Sequence, residues 1–326
     1  MISDMVAPLA PDPSVLGVVV LADLLLGDPV YRWHPVRLIG HTVTWMEDRL
    51  RKGGCDGRAG GVLLVLALSA AWVGAMTAVL LGASLASAAV TWVLHGWVLY
   101  SLLALGDLVH HVQRIEAGVR AGDLAGARAG AGALVGRDTE GMDGAACRRA
   151  AVESLGENLT DGFMSPVFWY VLTGLPGLVV FKVVSTLDSM VGYTTPRYLQ
   201  FGWCGARLDD AMNFVPARIT WLVITLVAWL LPACSGRGAW RAGRDQHQLV
   251  PGPNAGWSEA ATAGALQRRL VGPIWRDGVR VTDLWIGDRR HPPLATADDV
   301  TRALRLVVAS GLAAAAIGIG LLWISG

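Results

Sequence analysis

Lysine is nearly missing from this 326-residue chain: of 27 basic residues only Lys52 and Lys182 are lysines, and the rest are arginine. Charge of either sign is scarce, at 16% of residues against 53% hydrophobic, which leaves too little polar surface to solvate a globule and suits a chain partly solvated by lipid. The formal net charge of +1 gives no electrostatic footprint for nucleic acid. The four cysteines, Cys55, Cys147, Cys204 and Cys234, contain no CxxC pair, which argues against a zinc site or a disulfide framework. The chain also lacks a GxxxxGK[ST] phosphate loop and a GxGxxG dinucleotide fingerprint, so a bound nucleotide would have to be held by magnesium and scattered Lys/Arg. There is no internal repeat.

What is present is a series of apolar runs. The N-terminal stretch MISDMVAPLAPDPSVLGVVVLADLLLGD has no basic n-region or small-residue cleavage site and reads as a short first membrane segment, made imperfect by Asp23. From Gly60 to Gly106 only His95 can carry charge, a run long enough for two spans with a turn near GASLASAA. Further runs lie at Met164–Ser185, interrupted by GLPG, and at Phe214–Pro232 and Leu306–Gly326. The expected fold is an all-α polytopic membrane bundle of about five or six apolar segments, at least one broken or re-entrant, with amphipathic helices at the cytoplasmic side. It is expected as a single membrane domain over residues 1–326. The loops at about 28–59, 106–163 and 234–302 carry six, six and ten Lys/Arg and are expected in the cytoplasm, with the topology of 188–212 left open.

Polar clusters edge these runs. In ESLGENLTDGFMSPVFWYV, Glu153, Glu157 and Asp161 repeat at i, i+4, i+8 and share one helix face, with Asn158 beside them. Like charges at that spacing repel unless a cation sits among them; a solvated helix end closed by an Asp161-Gly162 turn is the plainer alternative. The stretch from Lys182 to Arg218 holds Asp188, Arg197, Arg207, Asp209, Asp210 and Asn213, where Arg207–Asp210 reads as an intrahelical i, i+3 pair. Lys182, inside an apolar run, either snorkels to the interface or partners a carboxylate or phosphate. In PNAGWSEAATAGAL, Asn254 or Ser258 could cap a helix with Glu259 in its first turn. GDPVYRWHPVRLIG sets Asp28, Arg32, His34 and Arg37 just after the first apolar segment, a pattern that interface packing also explains.

Taken together, GDPVYRWHPVRLIG, LVGRDT, ESLGENLTDGFMSPVFW, FKVVSTLDSMVGY, RYLQFGWCGARLDDAMNFVPAR and PNAGWSEAATAGAL resemble, in order, the CobD/CbiB family, from about residue 15 to the last span. Two positions depart from its pattern: Ser185 where Asn is usual, and Gly156 where Ala is common. The resemblance implies a bacterial inner-membrane acid–amine ligase of cobalamin biosynthesis. Such an enzyme joins (R)-1-aminopropan-2-ol, or its O-phosphate, to the free propionate of adenosylcobyric acid, giving adenosylcobinamide or its phosphate.

Mg²⁺ and ATP as cosubstrate are the family-level expectation, because a carboxylate needs activation before an amine can attack it. Asp161, Asp188 and Lys182 are then candidate catalytic residues. Glu153, Glu157, Asn158, Asp209 and Asp210 are candidate metal ligands, and His34, Arg37, Arg197, Arg207, Arg218, Asn213, Asn254 and Glu259 candidate contacts to substrate or phosphate. Expected partners are the corrinoid, the amine and membrane lipid, but no nucleic acid; a homo-oligomer, or association with later cobalamin-assembly enzymes, stays open. A magnesium-dependent intramembrane prenyl- or alcohol-phosphate transferase and a non-catalytic corrinoid transporter are the alternatives.

Overall fold

A computed structural model describes residues 7–29 and 31–325. Residues 1–6, Val30 and Gly326, which belong to the N-terminal segment, the GDPVYRWHP stretch and the last apolar run, lie outside the described residues. The chain is all-α and polytopic. Among the described residues, four helices are long and apolar enough to cross a membrane, or five if one bent pair counts as a span.

The helices follow the apolar runs closely. Asp12 caps α1 (Pro13–Leu26) by accepting from the backbone N–H groups of Ser14 and Val15, with Pro13 at the first turn where its missing N–H costs nothing. At 14 residues α1 is too short to cross a bilayer by itself. Pro35 opens α2 (Pro35–Lys52), which ends in Arg49, Arg51 and Lys52, cations that favour the negative end of the helix dipole. The uncharged run becomes α3 (Arg58–Ala86) and α4 (Ala88–Tyr100), separated only by Ser87, whose hydroxyl accepts from the Val90 N–H. The turn therefore falls within GASLASAA, as the small residues there predict. Only α3 is long enough to span alone, because α4 has 13 residues and is bent by 42° from α5 (Leu105–Ala121).

After α6 (Leu124–Gly132), α7 (Gly144–Leu159) runs into a π-helical turn at Thr160–Met164 and on into α8 (Ser165–Val191). The GLPG break is a kink in α8: Gly174 has φ 69°, a left-handed conformation that a side chain would strain, and Pro176 follows it. Met164–Ser185 is therefore a broken helix. α9 (Trp203–Leu230) begins eleven residues before the apolar run at Phe214, so its first turns carry the polar cluster. α10 (Gly236–Gln246) and α11 (Ala255–Leu266) precede four short strands: β1 (Leu270–Val271), β2 (Ile274–Arg276), β3 (Val279–Thr282) and β4 (Trp285–Ile286). β1 pairs with β4 and β2 with β3, both antiparallel. These hairpin strands were not foreseen. α12 (Ala297–Ser325) closes the chain.

The chain divides into two compact units. One comprises residues 1–104, 165–213 and 315–326; the other comprises residues 105–164 and 214–314. In the first, α3 packs on α2, α4 and α8, and α1 packs on α4. Its core includes Leu16, Ile39, Leu64, Leu80, Tyr170 and Phe181, each at most 1% exposed. A buried polar network crosses it: His95 sits 2.8 Å from the Tyr170 hydroxyl and 3.0 Å from the Pro8 carbonyl oxygen, and the Asp12 N–H donates to that same hydroxyl. In the second unit, α7 packs on α5, α6 and α11, and α10 lies along α11 so closely that a Cβ on Gly238 would stand 2.3 Å from the Gly264 carbonyl oxygen.

Candidate active site

Each unit holds one acidic constellation. In the first, α8 contributes Lys182 and Asp188 and the start of α9 contributes Asp209, Asp210 and Asn213. Asn213, 1% exposed, fixes Asp209: its Nδ2 donates to Asp209 Oδ2 at 3.0 Å while its Oδ1 accepts from the Ser165 hydroxyl at 2.5 Å. Asp209 thus has one oxygen oriented by a buried amide. The charges of Asp188, Asp210 and Lys182 all act on it. Close approach of the helices is what allows this, since Gly205 on α9 leaves only 3.3 Å between a notional Cβ and the Leu187 side chain. Asp210 stands 3.6 Å from Arg207, the expected i, i+3 pair.

The remaining candidates of this unit are spread out. Arg197 Nη2 is 3.0 Å from Glu47, a carboxylate that also takes Arg51 at 2.9 Å. His34 is buried and lies 2.8 Å from Asp28 Oδ1, a short approach without hydrogen-bond alignment. Arg37 is exposed and lines, with Arg32, His41 and Tyr31, a cavity of about 750 Å³.

In the second unit the constellation is built on α7 and α11. Arg137 Nη2 holds Glu153 at 2.7 Å, with the two side chains 6% and 15% exposed. Glu259, 3% exposed, joins them from the first turn or so of α11 and feels the charges of Glu157 and Glu153 as well as that of Arg137. Burial first, and those two carboxylates second, raise its proton affinity well above the ordinary glutamate value of 4.5. Asn158 turns back on its own helix, donating to the Ser154 carbonyl at 3.0 Å and hydroxyl at 2.9 Å. Gly156 makes the helix contact tight: a Cβ there would meet Thr262 Oγ1 at 3.2 Å. A cavity of about 990 Å³ opens beside the cluster, with Arg137 and Arg149 in its wall. Asp138, next to Arg137, pins the tip of the β2–β3 hairpin by accepting from the N–H groups of Asp277 and Gly278 at 3.2 and 2.8 Å.

Asp161 lies in the π turn rather than in a loop, so the chain stays helical through Asp161-Gly162 and the plainer alternative, a helix end closed by a turn there, does not form. A π turn holds more residues than an α turn, which rotates Asp161 off the strict i, i+4, i+8 face; such turns recur at functional sites. Arg218 and Asn254, far apart in sequence, meet: Arg218 Nη1 donates to Asn254 Oδ1 at 3.0 Å, and its guanidinium stacks over Phe214 at 3.5 Å and Trp257 at 5.0 Å. Asn254 precedes α11 but makes no side-chain cap. Sequence reasoning did not single out Arg137, Arg149, Glu47 or Ser165; the one clue was Arg137 within LVGRDT. Among the described residues no three His, Cys, Asp or Glu side chains are placed to hold a metal ion by themselves.

A polytopic helical membrane protein with acid-rich constellations at its helix ends is the class these features define. The family profile described as CobD/Cbib protein matches residues 16–307, and the chain belongs to that family. It is 39% identical over 312 residues, 95% of both chains, to the cobalamin biosynthesis protein CobD of Pelobacter propionicus. It is 39% identical to the cobalamin biosynthesis protein CbiB of Salmonella typhimurium over 90% of this chain and 92% of that one. With CobD of Geobacter metallireducens the identity is 42%, covering 87% and 89%. No solved structure matches the chain.

Proposed function

We propose that this chain acts in cobalamin biosynthesis as an inner-membrane amide synthase, joining (R)-1-aminopropan-2-ol or its O-phosphate to the free propionate of adenosylcobyric acid. Family membership supports the pathway. The observation that carries the chemistry is Asp209, oriented by buried Asn213 and flanked by Asp188, Asp210 and Lys182.

A carboxylate resists attack by an amine. Its oxygen takes the γ-phosphoryl group of ATP, ADP leaves, and the acyl phosphate then accepts the amine nitrogen at its carbonyl carbon as phosphate departs. The magnesium that such chemistry calls for prefers one or two carboxylates, with substrate phosphate and water completing its shell. The sets Asp209–Asp210 and Glu153–Glu157–Asn158 fit that demand better than they fit a closed protein cage. Bound there, the ion would neutralise phosphate charge. Lys182 offers a second, fixed cation near Asp209, and the exposed guanidiniums of Arg37, Arg197 and Arg207 can take phosphate or propionate. Asp188 or Asp161 accepts the proton that the amine nitrogen loses on attack. Asn213 orients Asp209, while Arg218 and Asn254 stiffen the entry to α11.

The decisive experiment incubates purified protein with adenosylcobyric acid, amine, Mg²⁺ and ATP, leaves out each component in turn, and weighs the corrinoid by mass spectrometry. Amide product that requires all four supports the proposal. Turnover of a polyprenyl diphosphate without nucleotide, or corrinoid uptake into proteoliposomes with no amide formed, overturns it.

A further inference from the structure

The spanning helix α9 ends at Leu230, and only five residues separate it from α10. That spacing holds α10 at the membrane edge. One face of α10, with Ala239, Ala242 and Gly243, is buried; the other presents Arg237 and Arg241 to solvent, one helical turn apart. A groove of about 510 Å³ lies between the two helices, floored by Leu222, Leu226, Trp229 and Trp240. Arg237 and Arg241 stand at its rim. The same two arginines also line a second, polar cavity of about 1010 Å³, walled by Arg269, Arg289 and His291. An apolar slot and a basic chamber therefore meet at one pair of guanidiniums.

Four further observations bear on the occupant. The acids of the polar cavity already have arginines, Asp245 with Arg244, Asp283 with Arg280 and Asp288 with Arg290. Among the described residues, Arg237 and Arg241 make no salt bridge, and Arg237 lies 5.7 Å over the Trp229 ring. Inside the groove Thr225, 4% exposed, has a hydroxyl with no hydrogen-bond partner. Leu226 and Trp229, on a spanning helix, are 61% and 56% exposed, which suits side chains facing hydrocarbon.

We infer that this groove is a binding site for an anionic phospholipid of the surrounding bilayer. An acyl chain lies along Leu222, Leu226 and Trp229, and the phosphate sits between Arg237 and Arg241 with the headgroup in the polar cavity. A free phosphate or a nucleotide would satisfy the arginines but would leave the apolar slot empty. A neutral amphiphile would fill the slot and leave both guanidiniums without a salt bridge. Only a ligand with both parts matches both cavities, and basic interfacial helices attract anionic lipid for the same reason. The back-to-back packing of α10 on α11 through Gly238 and Gly264 fixes the pair in place before the lipid arrives.

The test is native mass spectrometry of the whole detergent-purified protein with phosphatidylglycerol or phosphatidylcholine of identical chains. Each arginine should favour the anionic lipid by about fivefold, so the R237Q/R241Q variant should lose a preference of about 25-fold, whereas R237K/R241K should keep most of it. Both arginines are exposed and outside any salt bridge, so the glutamine variant should elute and melt like the parent. Glycerophosphoglycerol and inorganic phosphate form the control arms, and neither should displace bound phosphatidylglycerol at equal concentration. Equal retention of the two lipids, an unchanged preference in R237Q/R241Q, or displacement by the chain-free headgroup would each overturn the assignment.

Discussion

Replacing Arg137 by methionine should expose how the second acidic constellation is held. Arg137 is the guanidinium that meets Glu153 directly, at 2.7 Å, and Glu259 lies in the same field with 3% of its surface exposed. Removing one partner of a buried pair costs about 3–5 kcal/mol, because the other is left uncompensated. Here the lower end applies: Glu153 is 15% exposed, and the charge of Arg149 also reaches it. A loss of about 3 kcal/mol corresponds to a fall of roughly 4 °C in melting temperature for a chain of this length. Adding E153Q to R137M removes the orphaned charge and should recover about half of that. Intrinsic tryptophan fluorescence in a fixed detergent, at one scan rate for all variants, is the assay. If R137M melts within about 1 °C of the parent, or if the double variant is no better than R137M, the pair does not hold this site together.

The same cluster sets a pH dependence through Glu259. Its folded-state proton affinity lies well above the ordinary value of 4.5, chiefly from burial and then from Glu157 and Glu153. The folded chain therefore keeps a proton that the unfolded chain gives up. Its stabilising contribution is complete below about pH 4.5 and is lost as pH rises through the folded value. E259Q, which cannot ionise, should match the parent near pH 4 and gain on it steadily toward neutral pH. A melting-temperature difference that stays constant across that range would contradict the sign.

Two more substitutions separate chemistry from packing. D209N keeps the shape and the Asn213 contact but removes the charge, so amide formation should fall about 10²–10⁴-fold while membrane insertion and melting stay unchanged; near-full activity of purified D209N would remove Asp209 from the reaction. G174A forces a side chain onto φ 69° and brings its Cβ to 2.3 Å from the Leu9 carbonyl oxygen, which should cost about 2 kcal/mol or more and lower the yield of folded protein. Parent-like melting of G174A would show that the kink relaxes freely.

The spans could be read because lipid imposes length and apolarity on each one separately, with no need for knowledge of its neighbours. The GASLASAA turn and the GLPG break were legible for the same local reason: Ser87 caps a helix and Gly174 adopts a left-handed conformation that glycine alone takes easily. The site depended on what the chain does between distant segments. The i, i+4, i+8 spacing of Glu153, Glu157 and Asp161 assumes an unbroken α-helix, and a π turn of five residues displaces its last member. Glu259 looked like a first-turn residue of a capped helix, yet tight packing at Gly156 and Thr262 sets it among carboxylates from α7. The i, i+4 spacing of Asp209 and Asn213 puts their contact within one helical turn, but the anchor that holds Asn213 in turn, Ser165, is 48 residues away and has no mark in the sequence. An acid can be picked out by its type. The hydroxyl that anchors its orienting amide, and the arginine that pairs with Glu153, become visible only when distant parts of the chain are packed together.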